Sequence, residues 1–485
     1  RGWSDAERID SGGYATSRSV QVACDGNGNA FAIGNESTRT WVRRYTPSHG
    51  WSEAETIDDS RKSDVATDRP KENPKISIDR FGNVLAVWRA GIRDEAIWTK
   101  AETWTNRYTA GTGWGEAARF DHAPGDFTPA EIVGDTYGNA RAVWVHHDND
   151  NGAIWTKHYT VANGWGEATS IARDAGKFRI LQVFSDGHDN TLVLWGREQN
   201  ERDNTFACCH SKEAGWGDAT LIANELFSYH GGNLSVDFDA AGNVLVVWSN
   251  NEGDSWQVYI CAKRYRVGTG WEETVKIDPG IADRNGGRVS ESSQPKVAFD
   301  ADGNALAIWT QERGRTHSQI WTSRFIVATG WATAAPIATK YLEQTKPVLA
   351  IDAGGSAIAV WLQRDGVGAS RYTAAAGWSL PERIYTDMSE HYARPAPQIA
   401  LDASGNAIVV GQHDGRLCNT IWSNQYIVGK GWERPASISN DYTRSANTPW
   451  IACGPHGEVH VLWEQRDIDS SNVHFWTSHW KRAND

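Results

Sequence analysis

The sequence predicts an all-β protein, a single β-propeller of four-stranded antiparallel blades. Two short patterns recur nine times each along the 485 residues, and the segments between them alternate apolar and polar residues as strands do. Four short strands in every 47 to 63 residues are typical of a propeller blade. We therefore expect nine blades, with eight as the alternative if the weak repeat near Asp186 is an insertion.

The first pattern is Gly-Trp, which opens the predicted fourth strand of each repeat. Its tryptophans are Trp3, Trp51, Trp114, Trp165, Trp216, Trp271, Trp331, Trp378 and Trp432. The second pattern is Asp-x-x-Gly-Asn, predicted to be a hairpin turn in which Gly takes a positive φ and Asp binds nearby backbone amides. Six copies begin at Asp25, Asp79, Asp135, Asp239, Asp300 and Asp402, and degenerate copies occupy residues 186–190, 352–356 and 453–458.

One repeat reads as strands at 74–79, 83–88, 96–100 and 113–120. A blade cannot bury its own faces, so recurring tryptophans are expected to fill the space between blades. One set ends the second strands: Trp88, Trp144, Trp195, Trp248, Trp309, Trp361 and Trp463. Another set lies in the third strands: Trp41, Trp98, Trp155, Trp321, Trp422 and Trp476. Gly34 and Gly411 replace the second-strand Trp, which predicts a gap or a ligand-facing dent beside each.

The two ends of the chain predict how the ring closes. The chain starts in a fourth strand, from Gly2 to Ile9, and finishes in a third strand. We expect one domain, residues 1–485, in which Gly2 to Ile9 pairs with the C-terminal blade at 432–480. This pairing would cover the unpaired strand edge that an open array exposes.

Composition narrows the classes of partner. The net charge is −12 and no Lys/Arg-rich stretch offsets it, which argues against nucleic acid as a partner. No apolar run is long enough for a membrane span. The single methionine is Met388, which favours a processed, exported chain that has lost its leader. The six cysteines lack zinc spacing, and Cys24 and Cys453 would be neighbours in a closed ring, so a bridge and two buried thiols are both open.

The predicted site lies among the long loops that enter each first strand. They gather cations, Tyr and His on one face, which suits an anionic or sugar ligand. The predicted ligand-binding residues there are Tyr229, His230, Arg288, Tyr341, Tyr442 and Arg444. Trp104, interpreted as lying outside the repeating lattice, is added as a sugar-stacking residue whose removal should leave stability unchanged. If the protein is a lyase, His391, Tyr392 and Arg394 are the expected catalytic residues.

No metal or cofactor is predicted. The Asp-rich turns resemble the start of a calcium loop, but no bidentate Glu follows at the proper distance, so a plain hairpin turn is the favoured interpretation.

A longer recurring pattern, seen in residues 135–165, resembles tandem repeats of exported bacterial propeller proteins. The pattern consists of Ile-Trp-x-x-x-Tyr, then Gly-Trp, then Asp-x-x-Gly-Asn-Ala and Val-Trp. The turn is also similar to the Asp-box hairpin, although it lacks the Asp-x-Gly order. The resemblance implies a secreted, periplasmic or cell-surface location and carries no catalytic residue across. Three functions stay open: a non-catalytic, lectin-like recognition propeller for glycan or protein, a lyase or hydrolase of acidic polysaccharide, and a structural subunit of a larger assembly.

Overall fold

The protein is a closed ring of nine blades, each with four antiparallel strands, in a computed structural model. The structure describes residues 2–10, 20–25, 27–36, 38–58, 71–94, 97–120, 126–148, 151–175, 178–199, 202–224, 234–251, 258–278, 291–313, 317–337, 346–386, 395–415, 418–439, 444–453, 458–467 and 473–481. These residues form strands and turns, with no helix that could cross a membrane. The nine-blade prediction is confirmed.

The first two strands of each blade form a hairpin. The first strands are Val20–Cys24, Lys71–Ile78, Glu131–Gly134 (preceded by Asp126–Phe127), Phe178–Ser185, Leu234–Phe238, Glu291–Phe299, Val348–Ile351, Gln398–Leu401 and Arg444–Cys453. The second strands are Ala30–Glu36, Val84–Asp94, Ala140–Asp148, Thr191–Gln199, Val244–Asn251, Ala305–Arg313, Ala357–Gln363, Ala407–His413 and Val459–Asp467. First strands of successive blades pack side by side, including those of blades 9 and 1.

The outer half of each blade is a third strand and a broken fourth strand. The third strands are Arg39–Thr46, Ile97–Thr109, Asn151–Thr160, Arg202–Ser211, Val258–Arg266, His317–Ile326, Gly366–Thr373, Thr420–Ile427 and Val473–Lys481. Each fourth strand pairs twice, first through its Gly-Trp and again through Glu55–Thr56, Ala118–Arg119, Thr169–Ala175, Thr220–Asn224, Val275–Lys276, Ala335–Pro336, Glu382–Thr386, Ala436–Ser437 or Glu7–Arg8. The continuous strand predicted at 113–120 is thus interrupted between its two paired pieces.

The N-terminal strand completes blade 9, as the sequence predicted. Gly2 pairs with Lys481, and Arg8 pairs with Trp476. The Asp10 carboxylate is buried and accepts the Phe475 backbone N–H at 2.8 Å. Blade 9 itself begins at Arg444–Cys453, because Gly431–Trp432, placed in the last blade by the sequence, pairs with the third strand of blade 8.

Each Asp-x-x-Gly-Asn segment is a turn built around its Asp carboxylate, which is buried or half-buried, and is here called the Asp-capped turn. In residues 79–83, Asp79 Oδ1 accepts the backbone N–H of Phe81 at 2.8 Å and of Asn83 at 2.9 Å. Asp79 Oδ2 accepts the Asn83 side-chain amide at 2.8 Å. The Asn83 side-chain oxygen Oδ1 in turn accepts the Ala110 N–H from the turn between the third and fourth strands. The predicted hairpin turn is confirmed. The Asp-capped turns and the turns between third and fourth strands lie on the same face of the ring, here called the turn face.

Neighbouring Asp-capped turns also touch one another. The Arg80 N–H donates to Thr136 O at 3.3 Å, and the Thr136 N–H donates to Gly187 O at 3.0 Å. The turn glycines lie close to the preceding turn. A Cβ on Gly138, for example, would lie 2.5 Å from Asp79 Oδ2. The described turns, from blade 1 to blade 8, therefore form a continuous polar row, and its close packing leaves no room for a side chain at Gly138.

Tryptophan fills the space between sheets, with one correction to the sequence. The second-strand tryptophans are buried as predicted; Trp309, Trp361 and Trp463 have no exposed surface. The gaps predicted beside Gly34 and Gly411 do not exist. A Cβ on Gly34 would lie 2.4 Å from the ring of Trp41, and one on Gly411 would lie 2.6 Å from the ring of Trp422. The third-strand Trp occupies the volume that the second-strand Trp fills elsewhere.

None of the six cysteines, all of which are described, is in a disulfide bond. Burial, with a smaller contribution from the neighbouring Cys453, raises the pKa of Cys24 to about 12. Burial likewise raises the pKa of Cys453 to about 11. The bridge considered between these two residues is therefore not formed, and both thiols stay protonated near neutral pH.

Two glycine variants in blade 3 separate backbone strain from steric conflict. Gly164 has a φ of +72° with nothing within 4 Å of an added Cβ, whereas Gly138 has a φ of +92° and abuts Asp79. Gly164→Ala should cost about 1 kcal/mol from the positive φ alone. Gly138→Ala should cost about 2–4 kcal/mol, because the Asp79 carboxylate must also move. Urea unfolding of both variants checks this, and equal losses would contradict the packed row of turns.

Candidate functional site

Most of the predicted site residues lie outside the described residues. They are Tyr229, His230, Arg288, Tyr341, His391, Tyr392, Arg394 and Tyr442. Arg444 is the first residue of the first strand of blade 9, and its backbone pairs with Asp467. The loop-face site therefore remains a prediction.

Trp104 does not have the place in the repeat that the sequence assigned to it. The second and third strands of blade 2 are long, 11 and 13 residues, and their register sets Trp104 opposite Trp88. Trp144 and Trp155 face each other in the same way in blade 3. Trp104 is partly buried and packs against the core around Trp88. Trp98, assigned to the lattice from sequence, pairs instead with Arg93 near the far end of the hairpin. The reason for choosing Trp104 as a sugar contact was wrong.

Most junctions between blades are closed by an Arg from one third strand and an aromatic residue from the next. Arg324 Cζ lies 5.7 Å from the ring centroid of Tyr372, and its Nη1 donates to the Tyr372 hydroxyl at 2.9 Å. A guanidinium also lies over the ring in the pairs Arg44 and Tyr108, Arg107 and Tyr159, Arg264 and Phe325, and Arg371 and Tyr426. Each aromatic residue also packs edge-on or at a tilt against the Gly-Trp of its own blade; the ring centroids of Tyr108 and Trp114, for example, are 5.6 Å apart. A guanidinium thus fills each of these junctions.

The junction between blades 8 and 9 departs from this pattern and holds a cleft. Gln425 stands at the register position of the Arg, and Trp480 stands at that of the aromatic residue. Trp480 pairs with Trp3 of the N-terminal strand, so two indoles line one wall. The cleft has a volume of about 450 Å³. This is within the range of about 300–1,000 Å³ typical of small-ligand sites.

Some polar groups of the cleft form hydrogen bonds within the fold, and others form none with the described residues. Asp402 and Asn406 line it but hold the Asp-capped turn of blade 8, and the Asn424 amide donates to Ile384 O at 2.7 Å. Gln425, Lys430, Glu433 and Arg434 also line it, and their side chains make no hydrogen bond or ion pair with any described residue. The cleft therefore offers two indoles beside donors and acceptors that no described residue occupies.

The junction between blades 3 and 4 also departs from the Arg-to-aromatic pattern, and it contains a cluster of charged residues and histidines. Arg141 replaces the apolar residue found at this second-strand position in seven other blades, and its side chain is 6% exposed. Its Nη2 lies 2.8 Å from Asp189 Oδ1 and 3.1 Å from His210 Nε2. His158 Nε2 lies 3.7 Å from the same Asp189 oxygen. Asp189 has a φ of +74°, at a turn position that glycine holds in the intact repeats.

Burial and Arg141 set the protonation of both histidines in this cluster. Desolvation lowers the pKa of His158, and the Arg141 charge lowers it further. The same two causes, in the same order, lower the pKa of His210. His210 Nδ1 lies 3.0 Å from Asp189 O, so a neutral ring with its proton on Nδ1 donates there and accepts from Arg141 through Nε2. The cluster therefore holds two neutral imidazoles beside a guanidinium at neutral pH.

No group of three or more His, Cys, Asp or Glu side chains is placed to hold a metal ion in the described ranges. The carboxylates of the Asp-capped turns instead accept amide N–H groups, as Asp135 does from Tyr137 and Asn139. That role accounts for their recurrence in the sequence.

The sequence contained a signal for both departures. When the nine repeats are placed in register, Gln425, His158, Cys209 and His479 stand where the other five blades have Arg, and Arg141 and His460 replace the apolar residue. Comparing each repeat with the others at these positions would have singled out four junctions, these two among them. Their side chains face a neighbouring blade, so a reading of one blade at a time misses them.

Comparison with known proteins gives limited information. No protein-family model and no curated protein matches the chain. Among solved structures, the polysaccharide lyase Uly1 is similar at 12% identity over 74% of this chain and 88% of that one, with a TM-score of 0.41. A eukaryotic initiation factor is similar at 10% identity over 87% and 90%, with a TM-score of 0.46. A Penicillium chrysogenum α-L-arabinanase is similar at 13% identity over 63% and 93%, with a TM-score of 0.37. Such different activities at such low scores carry no argument about this chain.

Trp104→Ala should destabilise the protein, contrary to the expectation from sequence. The indole packs beside Trp88 in the core between blades 1 and 2, so its loss should lower the free energy of unfolding by about 2–4 kcal/mol. Phe81→Ala is the matched control, since that ring is 55% exposed. Thermal unfolding compares the two variants, and equal melting temperatures would show that Trp104 does not stabilise the core.

The histidine cluster predicts a loss of stability in acid. Because the folded-state pKa of His158 and of His210 lies below the ordinary value of about 6.5, the unfolded chain binds protons first as pH falls. This contribution to stability is complete above about pH 6.5 and decreases below it until the folded-state pKa is reached. A His158→Gln/His210→Tyr variant should show a shallower fall between pH 7.5 and 5.5 in urea unfolding, whereas His188→Gln, at an exposed turn, should match the wild type. An unchanged slope in the double variant would contradict the cluster's role.

Proposed function

We propose that this protein is a non-catalytic glycan-recognition propeller that works outside the cytoplasm and binds sugar in the cleft between blades 8 and 9. The observation that carries the proposal is the cleft itself, in which Trp3 and Trp480 stand beside a Gln425 amide that no described residue occupies. A pyranose ring has one apolar face and a rim of hydroxyl groups. Indoles pack against the former, and amide and charged side chains bind the latter. The extracytoplasmic location is supported by the resemblance of the repeats to those of exported proteins.

The cleft supports binding better than it supports chemistry. Its Asp402 carboxylate accepts the N–H groups of Ser404 and Asn406 and the Asn406 side-chain amide. A carboxylate so occupied is a poor general base, because proton transfer would break the turn it holds. Glu433 and Lys430 are both exposed at the mouth, which suits contacts to hydroxyl groups.

Gln425→Arg tests this proposal without removing any contact of the fold. The variant restores the residue that closes five other junctions, so the protein should fold and the cleft should fill. On a glycan array of neutral and acidic oligosaccharides, the wild type should bind a defined subset, and Gln425→Arg should lose at least about tenfold in affinity for it.

Arg371→Gln is the matched control, because it opens the junction between blades 7 and 8 and leaves the cleft intact. Its affinity should equal that of the wild type. Wild-type protein that binds nothing on the array, or Gln425→Arg protein that binds as well as the wild type, would contradict cleft recognition.

The Arg141 cluster favours a second candidate, β-elimination of an acidic polysaccharide. A neutral His158 can accept the proton beside a uronate carboxylate, and Arg141 lies near enough to favour the negative charge that develops. Incubating the array polysaccharides with the protein and measuring new ultraviolet absorbance from unsaturated uronates tests it. Absorbance that disappears in His158→Gln would support the lyase, and none in the wild type would exclude it for those substrates.

A further inference from the structure

One sector of the turn face exposes aromatic side chains. The third residue of the Asp-capped turn is Phe81 in blade 2, Tyr137 in blade 3 and His188 in blade 4. Phe81 is 55% exposed and Tyr137 is 52% exposed. The same position carries Asn27, Ala241, Asp302, Gly354 and Ser404 in five other blades. Because the turn forms equally well with those residues, the fold does not require the aromatic ones.

The two exposed rings are held in place with a cation between them. Arg80 Cζ lies 4.7 Å from the ring centroid of Phe81 and 4.7 Å from that of Tyr137. The backbone beneath is fixed, since Asp79 accepts the Phe81 N–H and Asp135 accepts the Tyr137 N–H. Little side-chain or backbone ordering is left for a ligand to impose, which favours binding.

Arg80 carries a charge that no described residue pairs. Within the described part of the chain, no carboxylate lies within ion-pair distance of its guanidinium. The chain as a whole has a net charge of −12, so a lone cation between two exposed rings is a local exception. An anionic group that binds here meets a preorganised partner, and the molecule that carries it meets aromatic surface on both sides.

We propose that Arg80, Phe81 and Tyr137 form a platform for an acidic polysaccharide whose sugars carry carboxylate groups. A uronate carboxylate pairs with the guanidinium while the apolar face of a sugar ring packs on Tyr137 or Phe81. The inference rests on the proposed glycan recognition, and it adds the class of glycan and a second contact surface away from the cleft.

The extent of the platform favours a sugar chain over a protein partner. A stable protein interface covers roughly 800 Å² on each side, with about 20–30 residues. The aromatic sector ends on one side at Asn27 of blade 1 and on the other at Ala241 of blade 5. A narrow row of rings on adjacent turns suits an extended oligosaccharide.

Calorimetric titration with tetragalacturonate tests the platform, with the neutral tetrasaccharide of galactose as the comparison ligand. The wild type should bind the acidic ligand better by about tenfold or more, and less well as NaCl rises. Arg80→Gln should remove this preference. Phe81→Ala/Tyr137→Ala should weaken binding of tetragalacturonate about tenfold, as expected when two aromatic contacts are lost. Asp302→Asn, which removes a charge at the same turn position in blade 6, should stay within about twofold of the wild type.

The outcomes separate this platform from the cleft. If Gln425→Arg abolishes binding of tetragalacturonate and the platform variants bind normally, the acidic sugar occupies the cleft and the platform is overturned. If the platform variants lose binding and Gln425→Arg does not, the platform stands and the cleft does not bind this acidic sugar; the array experiment tests the cleft separately. If short polyglutamate competes equally and its binding also depends on Arg80, the surface recognises anionic chains in general, and the carbohydrate class is wrong.

Discussion

Every interface between blades depends on closure of the ring, and closure depends on one antiparallel pairing. The Gly2–Trp3 and Glu7–Arg8 strands complete the sheet that begins at Arg444–Cys453. The buried Asp10 carboxylate strengthens this pairing, because it binds the Phe475 N–H and lies 3.3 Å from His474 Nδ1. A carboxylate without exposed surface is tolerated only when it is paired. Without that strand, blade 9 would expose an unpaired edge and the core between blades 9 and 1 would open to water.

Inside the closed ring, repetition makes most junctions equivalent. An Arg-to-aromatic contact between third strands and a packed row of Asp-capped turns serve one blade after another. A ligand that binds at one place needs an asymmetric surface, so departures from the repeat are where selective binding can arise. A cleft lies beside Gln425, and Arg141 forms a cluster with two histidines. Phe81 and Tyr137 expose aromatic surface on the turn face.

The sequence was a good guide to the scaffold and a poor one to these departures. Turn residues and period-2 alternation act locally, so the blades, the turns and the second-strand tryptophans could all be predicted. The wrong predictions concerned how neighbouring strands are aligned with one another. Trp104 looked like an insertion because both strands of its hairpin are lengthened, and Gly34 looked like a gap because the ring that fills it, Trp41, comes from the next strand.

The sequence by itself determined the number of blades, the Asp-capped turns and the strand that closes the ring, because each follows from residues near one another in the repeat. Only the tertiary structure decided which side chains meet across a junction. Arg324 and Tyr372 come from blades 6 and 7, and Arg141 and Asp189 come from blades 3 and 4, yet each pair is in contact. Such contacts depend on the packing of one sheet against the next, which no local pattern encodes.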